Sequence, residues 1–309
     1  MKVVNVHSDF VLSPLLEILS DGLMSLNALG DGVEIMPVVE YHVQSVFLKL
    51  TGAQEQKMKC ICWDLASNDY SYRYEYLNNK SYGEHSDYKS KSSIYNDLNE
   101  VISRVIPNFS VHKIWDDVEL SKEEENKSKA HWKQEVEAQI AKSIKDAEKE
   151  SPISDEKKRE IRERIEQARE KDDSLYIQRT KTRKEKVVIK LLDQYKQLLS
   201  SSCYYTIFPR QYHDFLKRIE ELKKVEGLCM EKSLLPSHLS ELYTHEVFFH
   251  RNRCAHNLTS YQSNLPSLDV IANQKEGEDN YFVRFWLIIL IDEIFMRLYK
   301  YYIEHAEYV

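Results

Sequence analysis

The sequence predicts an all-α protein, a helical bundle carrying a long charged helical hairpin. Three observations lead there. Only 7 Gly and 7 Pro occur in 309 residues, too few to supply the tight turns of a β-sandwich or barrel. Apolar residues recur at steps of three and four through most of the chain. Between positions 119 and 186, 37 of 68 residues are charged, 19 Lys or Arg against 18 Asp or Glu, as on a solvated helix pair. Apolar residues make up 42 % of the chain, with 20 Tyr and 10 Phe, so a core can form and full disorder is excluded.

Residues 1–118 form an aromatic-rich helical region. Leu12, Leu15, Leu16, Leu19 and Leu23 keep helical spacing, as do Val39, Val43, Val46, Phe47 and Leu50. Tyr70, Tyr72, Tyr74 and Tyr76 alternate with polar residues, which fits either a strand or the end of a helix begun near Lys57. A polar loop is expected over 78–91, then a helix from about Ser93 to Pro107. The pattern leaves open whether this region joins the same bundle as the C-terminal part.

Residues 119–186 read as an antiparallel hairpin projecting from the body. Trp132, Val136, Ile140, Ile144 and Ala147 make one narrow apolar stripe, and Ile161, Ile165, Ala168 and Leu175 make a second. Ser151, Pro152, Ser154 and Asp155 between them supply a break, a cap and an acidic first turn. A disordered charged linker is the competing reading. In residues 187–309, stripes mark helices near 188–199, 215–222 and 239–247. Gly227 is placed as a left-handed cap, a polar loop runs over 258–280, and the most hydrophobic helix follows from Tyr281 as the bundle's centre.

A net charge of −7 speaks against a general basic coat for nucleic acid, so any polyanion site must be local. Five scattered cysteines and an N-terminus without signal-peptide layout point to a cytoplasmic protein. The apolar run 285–291 is too short for a membrane span. Neither a phosphate-binding glycine loop nor a G-x-S-x-G elbow occurs. His245 and His250 are five apart, where a zinc-protease helix needs four. No metal or cofactor is expected.

One segment carries chemistry: Phe248-Phe249-His250-Arg251-Asn252-Arg253-Cys254-Ala255-His256-Asn257. It resembles the R-x4-6-H motif of the HEPN superfamily in its Arg-Asn-x-x-x-His form. The resemblance covers about ten residues, with its helical context extending to roughly 190–309. It implies an HEPN-like bundle and a metal-independent endoribonuclease, a toxin or an antiviral, abortive-infection effector. RNA can be cut without metal when its 2′-hydroxyl attacks the adjacent phosphate. His256 suits the proton transfer, Arg251 the charge growing on phosphorus, and Asn252 the orientation of either group.

Positions five apart on a straight helix diverge by about 140°, so Arg251 and His256 share no face unless the helix bends or two copies share the site. No second Arg precedes a His at that spacing in the chain. The resemblance implies the shared arrangement, hence a homodimer. His250 continues the stripe of Leu239, Tyr243 and Val247 and reads as core. Arg253, Arg179, Lys181, Arg183 and Lys184 are the candidates for contacting RNA, and each also fits a solvated face. An antitoxin or other regulatory protein is a possible partner. The rival function is a non-catalytic helical interaction protein that holds its partner through the hairpin.

Overall fold

The helix Tyr281–Ala306 is apolar on nearly every side, and its residues 282–291 are all buried. A helix with no polar face must be surrounded. In the computed structural model, which describes residues 6–28, 35–79, 85–149, 153–171, 174–256 and 280–306, it is. Among these residues every regular element is helical, apart from one isolated bridge between Met230 and Ser233. The fold is all-α. No helix among them is long and apolar enough to cross a membrane.

The elements in chain order are α1 (Ser8–Leu12), α2 (Leu15–Leu26), α3 (Met36–Asn68), α4 (Tyr70–Asn79), α5 (Tyr88–Val105), α6 (Lys122–Glu148), α7 (Asp155–Lys171), α8 (Ser174–Ser201), α9 (Tyr204–Ile207), α10 (Pro209–Leu222), α11 (Ser237–Leu242), α12 (Phe249–His256) and α13 (Tyr281–Ala306). A π-helical segment, Tyr243–Phe248, joins α11 to α12. The chain divides into two units: Met1–Ile114 with Val188–Val309, and Trp115–Val187. Helix α8 runs through the boundary between them.

In the first unit, α13 packs against α1, α2, α3, α5, α10 and the π segment. Residues of the N-terminal and C-terminal regions thus share one core. Several of its buried charged groups are paired. Lys57 donates to Asp292 at 2.7 Å and to the Ser13 carbonyl, and the Leu15 amide donates to the other Asp292 oxygen at 2.8 Å. This pair ties the α1–α2 corner to α3 and α13. Asp64 accepts from Tyr299 and faces His7 at 2.9 Å.

The second unit is a three-helix arrangement. A capping box, Ser121 with Glu124, starts α6. Helix α7 runs antiparallel to the far half of α6, with Lys158 on Glu148 at 2.7 Å and Arg162 on Glu137 at 3.0 Å. The first half of α8 then returns along the near half, placing Thr182 on Ser128 and Lys186 on Glu124, both at 2.8 Å. Trp115, Val136, Ile140 and Val187 are the unit's buried apolar side chains. Ser151 and Pro152 lie outside the described residues, as does the loop 258–279.

One open alternative is decided and two local expectations are corrected. The tyrosine run is helical: Tyr72 and Tyr76 are buried and stacked on each other, while Tyr70 and Tyr74 face solvent. A period of four lay inside the apparent period of two. Helix α5 begins at Tyr88, five residues before Ser93, because the Asp87 side chain caps it by accepting from the Ser90 amide. Gly227 does adopt a left-handed φ of 75°, but α10 has already ended at Leu222. The glycine serves the turn leading to Met230.

Candidate active site

The Arg251 motif occupies α12, the last part of a helix interrupted by a π-turn. Here Phe249 donates its amide back to Thr244, five residues away. Such a widened turn needs outside support, and α13 provides it. Arg284 is buried; its Nε donates to the Glu246 carbonyl at 2.8 Å and its Nη2 lies 3.3 Å from the Glu246 carboxylate. The π-turn rotates the helical residues C-terminal to it. His250 lies inward, its ring edge-on to Phe47 and its Nε2 2.8 Å from the Tyr281 hydroxyl.

Arg253 fixes the tautomer of that histidine. A guanidinium only donates, and its Nη2 lies 3.1 Å from His250 Nδ1, so the ring proton of a neutral His250 sits on Nε2. Cys254 Sγ lies 3.4 Å from the same Nε2. His250 is therefore a positioned core residue, while Arg253 itself is exposed.

Arg251 points to a different neighbourhood. Its Nη2 reaches Glu55 of α3 at 3.4 Å and its Nη1 reaches the Asn252 side-chain oxygen at 3.3 Å. The side chain is 17 % exposed, enough to meet a ligand from one direction. Glu55 is shared, since Lys59 lies 3.2 Å from its other oxygen.

Behind Glu55 lies a buried polar cluster. Lys91 Nζ donates to the carbonyls of His85 (2.6 Å) and Ser86 (3.1 Å) and sits 5.3 Å above the Tyr243 ring. Burial pushes the Lys91 ammonium down to about 7; Glu55 and Asp87 oppose the fall, and Arg251 adds to it. Burial also lowers the His85 imidazole, helped by the Lys59 charge. Its Nδ1 meets the Ser90 hydroxyl at 2.7 Å, and its buried Nε2 has no hydrogen-bond partner among the described residues. Tyr243 donates its hydroxyl to Gln54 at 3.2 Å. None of Glu55, Lys59, His85, Lys91 or Tyr243 was a candidate from sequence. No local signal in the sequence pointed to them, and Lys91 falls at the end of the polar loop expected over 78–91.

His256 is the last residue of α12, and the structure describes its backbone only. The irregularity in the helix falls before residue 249. Positions 251 and 256 lie within a regular α-helix and still diverge by about 140°.

The basic run of the second unit is largely engaged within that unit. Lys184 is 4 % exposed. Arg183 is bound to Asp116, which also accepts from Tyr176 at 3.1 Å. Arg179 and Lys181 are half-buried. As placed, Arg183 and Lys184 do not form an open patch. Among the described residues no group of three or more His, Cys, Asp or Glu is arranged to hold a metal ion.

No family model, curated protein or solved structure matches this chain.

Proposed function

We propose that the protein is a metal-independent endoribonuclease that cleaves RNA by internal attack of the 2′-hydroxyl, acting as a toxin or antiviral effector. The observation that carries this reading is Arg251: a guanidinium in an Arg-Asn-x-x-x-His motif, oriented by Glu55 from another helix, with one side open to solvent. A preset cation of this kind is what a phosphorane-like charge needs, because no reorganisation is required when the charge develops.

In this mechanism the 2′-oxygen bonds to phosphorus and the bond from phosphorus to the 5′-oxygen breaks. The 2′-hydroxyl proton passes to a base, and the leaving 5′-oxygen takes up a proton. The products are a 2′,3′-cyclic phosphate and a 5′-hydroxyl. Arg251 binds the non-bridging phosphate oxygens. Asn252, hydrogen-bonded to Arg251, holds its fork in plane. His256 performs proton transfer. Since positions 251 and 256 splay apart on α12, two copies of the chain contribute one motif each to a common cleft.

End-labelled RNA incubated with the protein in EDTA tests this directly. Cleavage that leaves cyclic-phosphate ends and is reduced about 100-fold or more by His256→Ala supports it. Cleavage that requires added Mg²⁺, or that persists within a few-fold in a folded His256→Ala variant, refutes it.

A further inference from the structure

Helix α3 is buried on all sides but one. Its solvent strip runs Gly52, Gln56, Lys59, Trp63 and Ser67, a spacing of three and four that keeps them on one face. This stretch of the strip passes beside Glu55, where Arg251 is held, and Trp63 lies two helical turns further, about 12 Å along the axis.

Trp63 is 60 % exposed. That is unusual for the largest apolar side chain, and the other tryptophans behave differently. Trp115 and Trp286 are buried, and Trp132 donates its indole N–H to Ser174 at 2.7 Å. The Trp63 indole makes no hydrogen bond or ring contact among the described residues. Its flanks are fixed, because Cys62 and Asp64 on either side are buried. The ring is therefore presented on a rigid support rather than on a loop.

One turn before it stands Lys59, half-exposed. Its carboxylate partner, Glu55, also faces Arg251. At its near end, a Cβ added to Gly52 would meet nothing within 4 Å. Packing gives no reason for that glycine, and its absent side chain leaves the helix backbone open to close approach.

An aromatic face next to a cation suits a nucleotide: base on ring, phosphate on ammonium. Only an unpaired base can offer its face, because in a duplex both faces are covered by stacking. We propose that Trp63 and Lys59 form a subsite for an unpaired nucleotide, so that single-stranded RNA lies along the exposed strip of α3 and delivers its phosphate to Arg251. The proposal rests on the endoribonuclease reading for what happens at Arg251, but binding at the strip is separable from cleavage.

The test uses the full chain and a 2′-O-methylated oligonucleotide, which lacks the attacking hydroxyl and stays intact. Titrating it should quench tryptophan fluorescence. Trp63→Ala should remove that quench and weaken binding about 10-fold or more, and Trp63→Phe should keep most of the affinity. Lys59→Ala should weaken binding and reduce the salt slope by about one. The same sequence as a duplex should bind at least about 10-fold more weakly.

Single-strand affinity within about two-fold of wild type in folded Trp63→Ala, or equal affinity for strand and duplex, overturns the proposal. So does an oligomer that falls apart in Trp63→Ala without loss of RNA binding, since the strip is then a protein interface. Intact binding without cleavage of ordinary RNA would refute the nuclease and leave the subsite. Cleavage with binding indifferent to Trp63 would do the reverse, and no RNA binding at all would overturn both.

Discussion

Lys91 offers the sharpest physical test of the cluster behind Arg251. Its folded pKa of about 7 lies below the ordinary 10.5 because burial disfavours the charged form. Between those values the unfolded chain holds a proton that the folded chain has released. Stability from this group is therefore full above pH 10.5 and is lost as pH falls toward 7. Each pH unit in the window corresponds to about 1.4 kcal/mol at most. Lys91→Met removes the titration while filling much of the same volume. It also gives up two hydrogen bonds, to the carbonyls of His85 and Ser86. Urea unfolding followed by circular dichroism at pH 8 and pH 9.5 reads the effect. Wild type should gain about 2 kcal/mol relative to the variant across that interval, since other titrations cancel in the difference. Parallel stability curves would refute the reasoning. They would mean that the ammonium stays charged beside Glu55 and that the cluster is more polar than its burial implies.

Arg251→Lys should lose most RNA cleavage, by about 100-fold, because a point charge cannot replace the fork; activity near wild type in the labelled-RNA assay would contradict the assigned role. Gly22→Ala should destabilise by about 1–3 kcal/mol, since its new Cβ would lie 2.6 Å from Val46, whereas Gly52→Ala should stabilise by about 0.5–1 kcal/mol; paired thermal melts check both signs. Asp292→Ala should cost about 3–5 kcal/mol by stranding the buried Lys57 charge, and denaturant midpoints should show Lys57→Met with Asp292→Leu to be milder than either single change. Replacing 125–180 with a short flexible linker should leave a cooperatively melting protein, because Glu124 at one end of the cut is ion-paired with Lys186, five residues beyond the other end; a calorimetric trace without a transition would show that the first unit depends on the second.

The helical class was legible because periodicity and the scarcity of turn residues act locally, and local signals survive in sequence. The tyrosine run shows the limit of such signals. Its alternation fits two structures, and only burial of Tyr72 and Tyr76 against solvated Tyr70 and Tyr74 distinguishes them. The π-turn was not legible, since Leu239, Tyr243 and Val247 step by four whether the turn is narrow or wide. What selects the wide form is Arg284 on a helix some 38 positions later. The same holds at the candidate site. Arg251 announced itself through its neighbours in sequence, but Glu55 is 196 positions away, and no periodicity reports such a meeting.

The place of α13 in the chain has a consequence for how the protein is made. The helix at the centre of the first unit is synthesised after α1–α5 and after the whole second unit. At about 5–20 residues per second, the interval from residue 114 to residue 281 is on the order of 10–30 s. Throughout it, the apolar faces of α2, α3 and α5 lack the partner that covers them, and they are exposed to chaperones and to one another on a polysome. Arg284, which braces the π-turn before the motif, arrives with the same helix. The ribosome thus acts as a timer: the Arg251 site cannot take its final form until α13 has been made.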